Sequence, residues 1–154
     1  QPNNHQAVVA PGAANWLIQT HELRQTLEPE AAARAAGHIP ANVAADLERL
    51  AQESDPHAGH DWQPPARFFD FALHLAIADY CGNLPMKTSI RKCWTYKRLS
   101  YELSDGCSDS LPKEQADHCS ILAALLQPDA DAARRLMAGH LSGASQRRYS
   151  ERVV

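Results

Sequence analysis

Several features that define other classes of protein are missing from this sequence. It has no run of about 18 apolar residues, the length a membrane-spanning helix needs. Its four cysteines form no Cys-x-x-Cys pair, and their wide spacing is unlike a disulfide framework. The 15 lysines and arginines are outnumbered by 18 aspartates and glutamates, so the basic surplus of a DNA-binding domain is absent. These absences favour a cytoplasmic domain with reduced, buried thiols that does not itself contact DNA or a membrane.

The sequence also lacks the common catalytic and targeting motifs. It contains no G-x-S-x-G elbow, no P-loop, no G-x-G-x-x-G and no H-E-x-x-H, so we expect no enzyme of these types. Gln1–His5 has neither the basic start nor the apolar run of a signal peptide. Because the first residue is not methionine, we expect a fragment or a processed chain. Its 154 residues predict one domain over 13–150, preceded by a linker or unpacked lead-in over 1–12.

Helical periodicity dominates what remains. Alanine, leucine, glutamate and arginine fill the periodic stretches, and the alternation typical of strands is weak. Gly37 and Gly82 suit the C-terminal ends of the first and third helices, and we expect a kink or restart at Pro29 and a break near Gly143. The predicted helices cover about 15–36, 41–53, 66–81, 85–103, 112–127 and 129–148. Their short connections predict an all-α antiparallel bundle.

Four residues on three of these helices are candidate metal ligands. Asp70 and His74 lie one helical turn apart and face the same way, and a carboxylate with an imidazole suits a divalent ion. Taken alone, this pair is more often a helical salt bridge. His118 and His140 each fall beside the apolar stripe of a later helix, where a single histidine is usually a hydrogen-bonded core residue. The four together favour a metal, because one cation could satisfy several buried polar atoms at once.

Other charged residues have plainer interpretations. His57 and His60 form an H-x-x-H pattern in a proline-rich loop, and we interpret them as surface residues. Arg24 lies four residues before Glu28, and this spacing favours an ion pair between them. Arginine can also bind a carboxylate through two parallel hydrogen bonds, so a ligand-binding role stays open.

Four segments of the chain match a family pattern in order and spacing over residues 15–145. They are LRQTLEPEAAARAA at 23–36, DFALH at 70–74 with CGN at 81–83, DHCSILAAL at 117–125, and DAARRLMAGHL at 131–141. Through them the chain resembles the C-terminal effector-binding domain, or FCD domain, of GntR-type transcription regulators of the FadR subfamily. Leu73 stands where the family usually has phenylalanine and Asp117 where it has glutamate. The family's N-terminal winged helix-turn-helix is missing, so any DNA binding is expected only through that absent domain.

This resemblance implies a bundle of six to seven helices that forms a homodimer. In the metal-containing branch, one aspartate and three histidines bind one divalent transition metal per chain, and these positions fall on Asp70, His74, His118 and His140. We expect zinc or nickel, and manganese, cobalt and iron are also compatible with such ligands. The resemblance further implies a small organic acid as effector, either a carboxylate or a sugar acid, with Arg24 holding its carboxylate.

Three other interpretations stay open from the sequence. The metal itself could be the signal, with no organic effector. A bundle with three histidines and an open metal position could activate water as a hydrolase, although no general base is evident. Finally, the metal could have a purely structural role and stabilise the packing of the helices without binding an effector.

Overall fold

The computed structural model describes residues 13–59, 61–102 and 110–150, and the predicted lead-in over 1–12 lies outside these ranges. The described residues form helices and connecting turns and contain no strand. The helices are α1 (Ala13–Ala35), α2 (Ala41–Glu53), α3 (Gln63–Tyr80), α4 (Leu84–Glu102), α5 (Leu111–Leu126) and α6 (Ala130–Ser150). The predicted all-α fold is therefore confirmed.

One helix start and two predicted interruptions within helices differ from the prediction. Pro64 and Pro65 lie in the first turn of α3 and not in the preceding loop. Proline is tolerated there because backbone amides of the first turn have no hydrogen-bond partner within the helix. α1 continues through Pro29, so no restart occurs there. α6 runs past Gly143 to Ser150 without a break. Packing of a helix on its neighbours outweighs such local preferences.

Two glycines end helices as predicted. Gly37 after α1 has φ +74° and Gly82 after α3 has φ +65°, the left-handed region that glycine adopts without steric cost. The Gly37 amide donates a hydrogen bond of 2.9 Å to the carbonyl of Leu125. The end of α1 is thereby joined to the end of α5.

α1 lies centrally in the bundle, because it contacts α3, α4, α5 and α6. Its small buried residues Ala31, Ala32 and Ala35 allow these neighbours to approach closely. Phe69 and Trp94 are among the largest fully buried side chains of the core. None of the described helices is both long and apolar enough to cross a membrane.

The described cysteines are not paired with one another. Cys81 and Cys93 are buried and Cys119 is partly buried, all three as free thiols. Burial raises the pKa of the Cys93 and Cys119 thiols above the ordinary value. The expectation of free thiols is thus met at these three positions, and Cys107 lies outside the described residues.

Candidate metal centre

The four predicted ligands converge in the interior of the bundle. α3 contributes Asp70 and His74, α5 contributes His118, and α6 contributes His140. All four side chains are buried, and each offers one ligand atom within 4.8 Å of the others. Residues separated by up to 70 positions in sequence are brought together because each lies on the core face of its helix.

The separations between these atoms are those of ligands around a shared ion. His118 Nε2 lies 3.2 Å from Asp70 Oδ1, 3.4 Å from His74 Nε2 and 3.1 Å from His140 Nε2. His74 Nε2 lies 3.3 Å from Asp70 Oδ1. Adjacent ligands are roughly 2.9–3.4 Å apart when each lies about 2.0–2.1 Å from a metal. These four distances fall in that interval.

The outer nitrogen of His74 is held by a second carboxylate. His74 Nδ1 lies 2.5 Å from Glu28 Oε2, and since a carboxylate only accepts, this nitrogen carries the proton. Burial lowers the pKa of His74 to about 3, although Glu28 opposes that effect. The imidazole is therefore neutral, and its Nε2 presents a lone pair to the other ligands.

Glu28 stays ionised despite its complete burial. Burial raises the pKa of this carboxyl, but the positive charge of Arg24 and the hydrogen bonds from His74 and Arg24 outweigh that effect and place the pKa well below the ordinary value. Arg24 Nε donates to Glu28 Oε1 at 2.6 Å, and Trp94 Nε1 donates to the same oxygen at 3.0 Å. The ion pair that the Arg24–Glu28 spacing favoured is thus present.

His140 has a carboxylate on its outer side as well. Its Nδ1 lies 3.6 Å from Asp117 Oδ2, which is longer than a hydrogen bond but close enough for electrostatic attraction. The interaction with His140 lowers the pKa of Asp117 to about 2, and Lys113 acts in the same direction. Burial lowers the pKa of His140, so this imidazole is also neutral. A proton on Nδ1 facing Asp117 leaves its Nε2 free to accept or to bind a cation.

Asp70 is balanced by a lysine that the sequence patterns did not identify. Burial raises the pKa of Asp70, but the Lys97 ammonium and His118 overcome this effect and hold it well below the ordinary value. Lys97 Nζ lies 2.8 Å from Asp70 Oδ2, the oxygen that does not face the histidines. One signal in the sequence marked this residue: Lys97 follows Ile90 and Trp94 at helical spacing on the apolar stripe of α4.

The chemistry of the donor atoms fits a divalent cation. His74 turns a lone pair inward and Asp70 adds an anionic oxygen. His140 Nε2 faces the same point, and it also presents a lone pair when the proton is on the Nδ1 that faces Asp117. His118 Nε2 touches all three of these atoms and can supply at most one proton among them. Several acceptors facing one another at these distances repel unless a cation lies between them.

The remaining candidates lie elsewhere or have other partners. Arg24 is 2 % exposed and lies behind His74, with Nη2 3.5 Å from the Nδ1 of that imidazole. His57 is exposed, in agreement with its interpretation as a surface residue, and His60 lies outside the described residues. His21 was not grouped with the site, yet it is buried on α1 with Nε2 3.0 Å from the carbonyl of Leu141, the residue after His140.

Comparison with known proteins places the chain in a family. Residues 19–143 match the FCD domain family. The Uxu operon transcriptional regulator of Escherichia coli (strain K12) is 35% identical to the chain over 83 residues, which are 51% of this chain and 32% of that protein. The matched region thus spans about a third of the length of this relative. The chain belongs to the FCD domain family of GntR-type transcription regulators, whose members are regulatory and ligand-sensing domains and not enzymes.

Proposed function

We propose that this domain holds one divalent transition metal at Asp70, His74, His118 and His140 and there binds a small organic acid. Convergence of these four buried ligand atoms within 4.8 Å is the observation that carries the proposal. A divalent ion at this position would supply positive charge and open coordination positions for carboxylate or hydroxyl oxygens. Zinc or nickel suits the three imidazoles best.

The charges around the site support an anionic effector. The Asp70 carboxylate is already paired with Lys97. The Glu28 carboxylate is already paired with Arg24. An added ion would therefore bring two positive charges that Asp70 and Glu28 do not balance, and burying them without a counter-charge is costly. A carboxylate or sugar acid bound to the ion restores the balance.

Arg24 is the proposed partner of the effector carboxylate. Its guanidinium lies beside His74 and Trp94, with Cζ 4.2 Å from the centre of the indole ring. To engage an effector, Arg24 would share its donors between the acid and Glu28. Substitution of Arg24 by glutamine is accordingly expected to weaken binding of the acid.

A role in controlling DNA binding is proposed from the similarity of the chain to a known regulator. The curated relative is a transcriptional regulator, and the chain matches only part of it. We propose that effector binding shifts the arrangement of two subunits of a homodimer, and with it the arrangement of their DNA-binding domains.

Elemental analysis of the purified protein tests the metal centre. We expect about one transition-metal ion per chain in the wild type and in a His57→Ala control, and a sharply reduced content in His118→Ala. Absence of metal from the wild type, even after loading with zinc, nickel or manganese, would overturn the proposal.

A thermal-shift screen of hydroxy acids and sugar acids then tests the effector. Stabilisation by an acid that requires the metal supports the proposed sensor. Metal binding with no response to any acid would instead favour a metal sensor or a structural metal.

A further inference from the structure

We infer that Glu28 on α1 is a positioning residue of the metal centre, which orients the ligand His74 from outside the coordination sphere. The inference rests on the proposed function in one respect, namely that a metal binds at His74. Glu28 itself cannot reach the other ligands, because both of its oxygens are engaged on the outer side of His74.

Glu28 is an unusual residue for the interior of a bundle. It is 0 % exposed, although a buried carboxylate is unfavourable unless donors surround it. A surface position would serve equally well if its only role were an ion pair with Arg24 four residues earlier. Complete burial of this pair therefore points to a further role.

The carboxylate of Glu28 receives two donors on each oxygen. Oε1 accepts from Arg24 Nε at 2.6 Å and from Trp94 Nε1 at 3.0 Å. Oε2 accepts from Arg24 Nη2 at 3.2 Å and from His74 Nδ1 at 2.5 Å. Four hydrogen bonds from three side chains fix the plane of the carboxylate, and the carboxylate in turn fixes the His74 ring.

This arrangement determines which nitrogen of His74 can bind a metal. With Nδ1 donating to Glu28, Nε2 carries a lone pair and points to Asp70 and His118, at 3.3 and 3.4 Å. A carboxylate on the outer nitrogen also makes an imidazole a stronger donor to a metal, and loss of such a partner typically weakens metal binding. The side chains of α1 thus act on the metal through a ligand that belongs to α3.

Glutamine at position 28 would break this pattern while keeping the size of the side chain. One carboxylate oxygen becomes an amide NH2 group, which can only donate. This group would face either the donors of Arg24 and Trp94 or those of Arg24 and His74, so two hydrogen bonds would be lost. Glu22 on the same helix is exposed and provides the matched control for a change of glutamate to glutamine.

The test measures zinc affinity by competition with a chromophoric chelator, together with the absorption spectrum of the cobalt-substituted protein. We expect Glu28→Gln to bind zinc about 10- to 100-fold more weakly and to change the cobalt spectrum, whereas Glu22→Gln matches the wild type in both. Equal zinc affinity and an unchanged cobalt spectrum in Glu28→Gln would overturn the inference while leaving the metal centre in place. Failure of the wild type to bind any metal would instead overturn the proposed function and this inference with it.

A second variant keeps the test decisive if Glu28→Gln does not fold. Glu28→Gln alone leaves the Arg24 charge buried and unpaired, so the double variant Arg24→Gln with Glu28→Gln removes both charges. If the single variant does not fold, weaker zinc binding by the folded double variant supports the role of Glu28. Wild-type zinc affinity in the double variant would refute it.

Discussion

Two buried cations lie next to one aromatic ring in the interior of this domain. Arg24 Cζ and Lys97 Nζ are each 4.2 Å from the centre of the Trp94 ring, and each cation is paired with a carboxylate. The ring stabilises both cations through its quadrupole. The ring centres of Trp94 and His74 are 4.7 Å apart, so these charge pairs border the candidate metal ligands directly.

Lys97 is expected to act as a substitute for the charge of the ion when no metal is bound. Replacing Lys97 by methionine leaves the Asp70 carboxylate buried without its cation, which should destabilise the metal-free protein by about 3–5 kcal/mol. A bound metal would compensate Asp70 directly, so the metal-loaded variant should lose less. Thermal unfolding of Lys97→Met should therefore show a larger metal-induced rise in Tm than the wild type.

Lys92→Met on the same helix is the control for this comparison. Lys92 is exposed, and its loss removes the same charge from α4 without affecting the site. Equal metal-induced shifts in Tm for Lys97→Met, Lys92→Met and the wild type would show that Lys97 does not balance Asp70.

The sequence predicts the inner residues of the site better than the outer ones. Asp70 and His74 are found from their i, i+4 spacing, and the histidines of the other two helices from their apolar neighbours. Glu28 and Lys97 are missed because charged residues on helices usually face solvent. The spacing of Lys97 after Ile90 and Trp94 hints at a core position, but the tertiary contacts are needed to show that both residues are paired with other buried charges.

At the scale of the elements, two helix ends provide a matched test of packing. Gly37 and Gly82 both follow a helix in the left-handed region, and alanine should destabilise either position by roughly 1–2 kcal/mol through backbone strain. A Cβ at Gly37 would also lie 2.9 Å from Cβ of Pro128, whereas a Cβ at Gly82 would meet nothing within 4 Å. We expect Gly37→Ala to lower the free energy of unfolding, measured in urea, by more than Gly82→Ala does. Equal losses would mean that the contact with Pro128 relaxes without cost.

Helix boundaries could be predicted where local chemistry sets them. The glycine ends of α1 and α3 are such cases, because few other residues adopt positive φ. Pro29 and Gly143 predicted interruptions that do not occur. Proline and glycine weaken a helix locally, but contacts of α1 with α3, α4, α5 and α6 offset that cost, and these contacts are invisible to a local pattern.

At the scale of the whole molecule, the site joins five of the six described helices. α3, α5 and α6 carry the candidate ligands, while α1 and α4 carry Glu28 and Lys97, which contact two of them. α1 has a second connection, because His21 Nε2 lies 3.0 Å from the carbonyl of Leu141, next to the ligand His140. α2 packs on α3 and α5 but contributes no residue to the site within the described part of the chain.

This distribution predicts where a metal should stabilise the fold. A ligand present at a thousand times its Kd stabilises the native state by about 4 kcal/mol, and local openings that disrupt its site become rarer. Hydrogen exchange with and without zinc should therefore slow most in α3, α5 and α6, which supply ligands, and also in α1, through Glu28 and His21. Amides of α2 that exchange by local opening should change least and serve as the internal reference. In Glu28→Gln, zinc should slow hydrogen exchange in α1 by less than it does in the wild type. The effect of zinc on α6 should change less, because α6 would bind the metal through its own histidine. Uniform slowing over all six helices would instead mean that the ion stabilises the bundle only against global unfolding, with no particular connection between the metal and α1.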